Sequence, residues 1–277
     1  MAKYGIPYMG SKDKIADDIL SVLPRGKRFV DLFGGGFAMS HAALLSGKYE
    51  QVFYNELNPL LPKLIKDALA GKYANERRWI SREDFSRLKD VDGYVRYIWS
   101  FGNQGYGYLF GKDQEHIKKL GHDFVCFGKD IPGVPNIAET DMRVRRLYLQ
   151  RYIKNNTGER YELQQLERLQ RLEINCGSYL DYQYRDGDIV YCDPPYEYTK
   201  KYDNDGFNHK QFYDWVASRE YPVYFSSYEI SDNRFNVVWQ TEKQSLFNNS
   251  KETKKGVTEY LYCNKAENQF DYWPLFC

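Results

Sequence analysis

Asp193, Pro194, Pro195 and Tyr196 directly follow the apolar run 189–192. That run reads as a short buried strand. Proline brings no N–H to a sheet ladder and restricts the residue before it, so the chain must leave the sheet here. The turn then presents a carboxylate, a proline carbonyl outside any ladder and an aromatic face. These groups stand just past the C-terminal end of a strand, where open α/β sheets bind their ligands. Together they suit a planar ligand that carries an amino group. The plainer reading is an acidic turn that closes a strand.

Other segments offer chemistry of their own. Lys12 follows the turn residues Gly10 and Ser11 and stands at the start of a predicted helix, 12–23, with Ile15, Ile19, Leu20 and Leu23 on one face. A cation there opposes the helix dipole and invites an anionic partner such as a carboxylate; a solvated lysine is the alternative. Residues 28–36 read as a strand that ends at Asp31 and runs through Phe33 into Gly34, Gly35 and Gly36. Such glycines let a ligand approach the backbone closely. Gly-Lys-Ser/Thr is missing from the following helix start, which excludes a P-loop, and Met39 replaces the third glycine of the dinucleotide fingerprint. Asp31 fits a partner for an amino or hydroxyl group. A second strand, 51–56, ends in Glu56, about 20 residues beyond the glycines, where nucleotide-binding α/β folds place an acid for ribose hydroxyls. A surface glutamate capping the next helix is the competing reading.

The elements that position these groups alternate between strand and helix. Predicted helices over 37–45 and 59–70 follow the first two strands. Further strands are expected over 173–179, 189–192, 222–228 and 259–264, with a helix over 207–216 and a polar loop over 197–206. Between 72 and 160 the pattern changes to basic-aromatic and glycine-aromatic stretches. Asn103 sits in one of these, 100–112. A helix is expected over 140–154, with Arg143, Arg146, Gln150 and Lys154 on one face as a candidate phosphate-contacting surface; a solvated face explains such a stripe equally simply. Another helix is expected over 161–172, with Leu163, Leu166, Leu169 and Leu172 inward.

The chain has 277 residues, enough for one large domain or a domain with a sizeable insertion. No apolar run could span a membrane, and the N-terminus has no signal-peptide pattern. The 5 cysteines are scattered without metal spacing and read as free thiols in a reducing cytoplasm. No metal site is expected. Net charge is +1, so any nucleic-acid surface must be a local patch. The 26 tyrosines could serve the core or stack on bases.

Segments 8–12, 29–36, 55–58 and 193–196, in that order, resemble the DNA adenine methylase (Dam-type, D12 class) family of N6-adenine-specific DNA methyltransferases. The likeness covers roughly 1–60 and 170–265. It implies an α/β fold of the Rossmann-like S-adenosylmethionine-dependent methyltransferase type with a mostly helical inserted DNA-recognition domain. The expected division is 1–71 plus 161–277 for catalysis and 72–160 for target recognition. The resemblance assigns cofactor contacts to Tyr8, Lys12, Asp31, Phe33, Gly34, Gly36, Glu56 and Asp193, and catalysis to Asp193, Pro194 and Tyr196. Tyr179 matches an aromatic position, although Ser178 replaces the acid often found before it. Asn103, Arg143, Arg146 and Lys154 are the remaining candidates for substrate binding.

The implied reaction moves methyl from S-adenosyl-L-methionine to N6 of an adenine flipped out of double-stranded DNA, since a stacked base cannot present N6 to the donor. Double-stranded DNA is the expected partner, a cognate restriction endonuclease a further one, and the cytoplasm the expected location. The alternatives are an amino-methyltransferase acting on RNA or protein glutamine, and a non-catalytic DNA-binding relative.

Overall fold

The computed structural model describes residues 3–73, 76–127, 169–197, 206–243 and 257–266. A seven-stranded sheet organises them. Its strands are β1 (Gly26–Asp31), β2 (Tyr49–Glu56), β3 (Leu172–Cys176), β4 (Asp188–Cys192), β5 (Val223–Ser227), β6 (Asn236–Lys243) and β7 (Val257–Cys263), in the order β3-β2-β1-β4-β5-β7-β6. The first five run parallel, and β7 enters antiparallel between β5 and β6.

Alternation along the strands divides the core into two layers. Phe29, Tyr54 and Tyr191 face one cluster; Val30, Phe53, Val190 and Cys192 face the other. Helices on both faces bury these side chains, which is why the central strands read as nearly continuous apolar runs. On the first face lie α1 (Ala16–Val22), α2 (Ala38–Ser46) and α3 (Leu60–Leu69). The α3 helix buries Leu61, Leu64, Ile65 and Ala68 at helical spacing. Three more helices, α4 (Arg82–Leu88), α5 (Gly93–Ile98) and α6 (Glu115–Phe127), extend this side. Phe85 of α4 and Tyr94, Val95 and Ile98 of α5 join the same cluster as α1 to α3. The opposite face is covered by α7 (His209–Ala217), through Phe212, Tyr213, Trp215 and Val216.

The strand order turns at β1 and β4, whose register is fixed by a buried ion pair. Arg28 and Asp188 are directly opposed partners, joined through two hydrogen bonds of 2.8 and 2.7 Å. The same register sets Asp31 opposite Tyr191 and fixes where the chain leaves β4.

Three expectations change. The helix predicted from Lys12 starts at Ala16, and residues 12–15 form a turn before it. Leu172, expected to end a helix, opens β3. The sheet also contains β6, which the sequence reading lacked.

Candidate active site

Asp193 stands one residue beyond β4, at the carboxyl end of the parallel strands. Its Oδ2 accepts from Lys12 Nζ at 2.6 Å and its Oδ1 from the Tyr196 hydroxyl at 3.0 Å. The Tyr196 hydroxyl oxygen also lies 2.9 Å from Glu259 Oε1. Because β7 is antiparallel, its N-terminal end meets the C-terminal end of β5, which brings Glu259 to the same edge. Lys12 Nζ lies 3.5 Å from Glu259 and 5.0 Å from the centre of the Tyr196 ring. The Tyr228 ring meets Tyr196 edge-on at 4.7 Å.

Burial alone would lower the Lys12 pKa, but the charges of Asp193 and Glu259 outweigh it and hold the ammonium above the usual lysine range. Burial pushes Asp193 up, against the pull of Lys12, and Glu259 adds repulsion in the same direction. Lys12 therefore has the carboxylate partner that its position invited.

The glycine loop leaves β1 beside this cluster. Glu56, at the end of β2, accepts from the Gly35 N–H through Oε2 at 3.0 Å and from the Asn58 N–H through Oε1 at 2.9 Å. Burial raises its pKa while these backbone bonds oppose the rise. Tyr54 donates to the Gly35 carbonyl at 2.8 Å. Asn55 spans the strand ends: it donates to the carbonyls of Leu32 and Gly177 and accepts from Asn175. Asp31 accepts from Ser40 at 2.7 Å through Oδ2, and its buried Oδ1 has no hydrogen-bond partner among the described residues. Burial pushes Asp31 up to about 7, with Ser40 opposing and Asp193 and Glu56 reinforcing.

An N-terminal strap lies across the loop. Ile6 N–H donates to the Gly36 carbonyl at 2.8 Å, and Gly5 N–H donates to His41 Nδ1 at 3.0 Å. Burial lowers His41 to about 4, so the neutral ring serves as acceptor. A Cβ on Gly34 would stand 2.1 Å from the Tyr54 ring, and one on Gly36 would stand 2.5 Å from Tyr8 Cβ. Phe37 follows with φ of 70°, a left-handed conformation that costs a non-glycine residue roughly 1–2 kcal/mol. Its ring stacks on His41 and meets Tyr54 edge-on, contacts that hold the turn.

One cavity of about 710 Å³ joins the two halves. Tyr8, Lys12, Asp31, Phe33, Gly34, Gly36 and Glu56 line it together with Asp193, Pro194 and Tyr196. Asn103 lines it as well, donating to the Tyr97 carbonyl at 2.8 Å. Its size is in the range of small-molecule sites. Four carboxylates, Asp31, Glu56, Asp193 and Glu259, share this lining with two cations, Lys12 and Arg96. Such a lining favours a cationic ligand.

The comparisons with known proteins agree with this geometry. The profile of the D12 class N6 adenine-specific DNA methyltransferases matches residues 8–255. The chain belongs to this family. It is an N6-adenine DNA methyltransferase. It is also similar to the retron Ec67 DNA adenine methylase of Escherichia coli, 23% identical over 233 residues that cover 78% of this chain and 72% of that protein.

Within the methyltransferase, Tyr179 does not line the cavity. Its ring packs against Phe33 with centres 5.2 Å apart, and against Phe212 and Trp215. Arg143, Arg146 and Lys154 lie outside the described residues. Sequence reasoning missed Glu259, Tyr228, Asn55 and Ser40. Glu259 sits within a β-branched and aromatic run that reads simply as strand, and nothing local marks it. Asn55 carried a signal, being a polar residue at the end of a buried strand beside Glu56.

Proposed function

We propose that the enzyme moves the methyl group of S-adenosyl-L-methionine to N6 of an adenine turned out of double-stranded DNA into the cavity beside Tyr196. The supporting observation is the single cavity that joins the glycine loop to the Asp193–Tyr196 turn. The residues fit the cofactor. Gly34 and Gly36 have no room for side chains, Asp31 Oδ1 has no hydrogen-bond partner among the described residues, and the lining is rich in carboxylates.

When bound, the cofactor supplies an electrophilic methyl on a positively charged sulfur. Gly34 and Gly36 let the backbone close on it, with Tyr8 and Phe33 as walls. Glu56 holds the loop and offers its remaining lone pairs to ribose hydroxyls. Asp31 faces the cationic part. Asp193 accepts one hydrogen of the adenine amino group and the Pro194 carbonyl the other, which turns the nitrogen lone pair out of ring conjugation and toward the methyl. Each Asp193 oxygen keeps a second lone pair beyond its bond to Lys12 or Tyr196, so the carboxylate has capacity for this role. Acceptors placed where the nitrogen becomes positive favour the transition state. The same carboxylate takes the proton that the nitrogen sheds. Tyr196 stacks on the base, worth about 1–3 kcal/mol, against a flipping cost of a few kcal/mol.

Residues 72–160 carry target recognition in this reading. A restriction endonuclease that cuts the same site and a cytoplasmic location belong to the same proposal. Among the described residues no helix is long and apolar enough to cross a membrane.

The test is a transfer assay with methyl-labelled cofactor on duplex DNA, RNA and protein, followed by nucleoside mass spectrometry. N6-methyladenine in duplex DNA is the expected product. Label in RNA or in protein glutamine, or cofactor binding without transfer, would replace this reading with another.

A further inference from the structure

Two prolines settle most of the backbone in the Asp193–Tyr196 turn and leave one torsion open. Each proline ring locks its own φ at about −65°. A residue that precedes proline is held to an extended ψ, which applies to Asp193 and to Pro194. Pro195 precedes Tyr196, so no following ring restricts its ψ. The peptide unit is planar, so that torsion turns the Pro195 carbonyl and, with it, the direction in which the chain enters Tyr196.

A side chain from another element takes hold of that carbonyl. His209 Nε2 lies 2.9 Å from the Pro195 oxygen. A carbonyl only accepts, so Nε2 carries the hydrogen and donates it. His209 is the first residue of α7, 14 positions further along the chain. The helix is a firm base for it. The Asn208 side chain caps α7 by accepting from the Gln211 N–H, and Phe212 and Val216 are fully buried against the sheet. The imidazole is braced as well. It meets Phe207 edge-on with ring centres 5.0 Å apart, and Phe207 meets Phe33 edge-on. Both phenylalanines line the cavity, whereas His209 does not.

We propose that His209 is a positioning residue for methyl transfer: by donating to the Pro195 carbonyl it sets the backbone torsion that aims the Tyr196 ring into the cavity. The role rests on Tyr196 being the face on which the adenine stacks. The contacts of the Tyr196 hydroxyl with Asp193 and Glu259 hold the ring at its far end, and His209 holds its root. A ring held only at its tip can still tilt. Such a tilt would carry the stacked base with it and move N6 relative to the Asp193 carboxylate and the Pro194 carbonyl. A displacement of about 1 Å at the reacting atoms can cost roughly 100-fold in rate.

The bond can be read by NMR in the full-length, unliganded protein. A spectrum that correlates each amide with the carbonyl carbon before it gives the Pro195 shift through the Tyr196 N–H. That resonance is expected to move upfield in His209→Phe, which keeps an aromatic ring beside Phe207 but has no donor. It is expected to stay near its wild-type position in His209→Gln, whose amide nitrogen can reach the place of Nε2. In turnover on duplex DNA, His209→Phe is expected to lose about 10- to 100-fold in kcat, with KM for cofactor changed less than about threefold. His209→Gln is expected to restore kcat to within about threefold of wild type. A Pro195 resonance that is the same in wild type and His209→Phe, a phenylalanine variant with wild-type kcat, or a glutamine variant as slow as the phenylalanine variant, overturns the proposal. The NMR measurement does not depend on turnover. A protein that shows the expected shifts but does not methylate adenine therefore counts against the functional reading and not against the bond.

Discussion

Asp193 and Tyr196 act on different parts of the same base, and substitution separates them. Asp193→Ala removes the acceptor and keeps the ring, so turnover should fall to near background while DNA affinity stays within about tenfold, or about 1.4 kcal/mol. Tyr196→Ala should lose both, because an unstacked adenine no longer offsets the flipping cost. A fluorescent base analogue at the target position should report extrusion in the first variant and much less in the second. Near wild-type methylation by Asp193→Ala would refute the mechanism. Asp31 adds a pH dependence. Its carboxyl is raised to about 7 by burial, so it is neutral below that pH and ionised above it. A carboxyl with a raised folded pKa contributes stability that is full below the unfolded value near 4 and is lost as pH rises through about 7. A cationic ligand binds the ionised form better. Cofactor affinity should therefore rise as pH increases toward and past 7, with proton release near neutrality. Calorimetry in two buffers of different ionisation heat measures that release. Equal release from Asp31→Asn would show that another group titrates.

The glycine loop is the element on which the cofactor reading depends most, and its neighbours restrict it from every side. A Cβ on Gly36 would stand 2.5 Å from Tyr8 Cβ, and one on Gly5 would stand 2.2 Å from the Gly36 carbonyl oxygen. Gly36→Ala should push the strap and Tyr8 into the cavity, weakening cofactor binding by tenfold or more, about 1.4 kcal/mol. Unchanged affinity would mean that the cofactor lies elsewhere. Glu56→Ala should lower cofactor affinity and melting temperature together, since the carboxylate holds two backbone N–H groups as well as facing the cavity. Hydrogen bonds to charged groups are worth about 1.5–3 kcal/mol each. Lower affinity with an unchanged melting temperature would confine Glu56 to the ligand. The loop was legible in the sequence because three consecutive glycines after an apolar strand have few other uses. The helices α4 and α5 were not, since six or seven residues give too little periodicity. Their caps were a better signal: Ser81 accepts from Asp84 N–H, and Asp92 from Tyr94 and Val95 N–H. The β6 strand was hidden for another reason. It lies at the sheet edge, and its polar residues satisfy no buried-strand pattern.

For the whole molecule, three of the five parallel strands were legible because a carboxylate closes each of them: Asp31 ends β1, Glu56 ends β2 and Asp193 directly follows β4. The antiparallel closure was not, and with it went Glu259, whose place depends on β7 running against β5. Long-range pairing of that kind leaves no local trace. Charge has the same property at this scale. The net charge is +1, so a molecule that binds a polyanion must gather its cations locally. Arg143, Arg146 and Lys154 are candidates for that patch, read from spacing alone. Each cation on a phosphate releases counterions and adds about 0.9 to the slope of log affinity against log salt on duplex DNA. Changing all three to alanine should flatten that slope by up to about 3 and weaken binding most at low salt. The loss should be similar on target and non-target duplexes, because phosphate contacts position a protein without reading sequence. Titrations across a range of salt concentrations, on both duplexes, measure it. An unaltered slope would return that face to an ordinary solvated helix and move the DNA surface to another part of the chain. A loss confined to the target duplex would instead make these side chains readers of base edges.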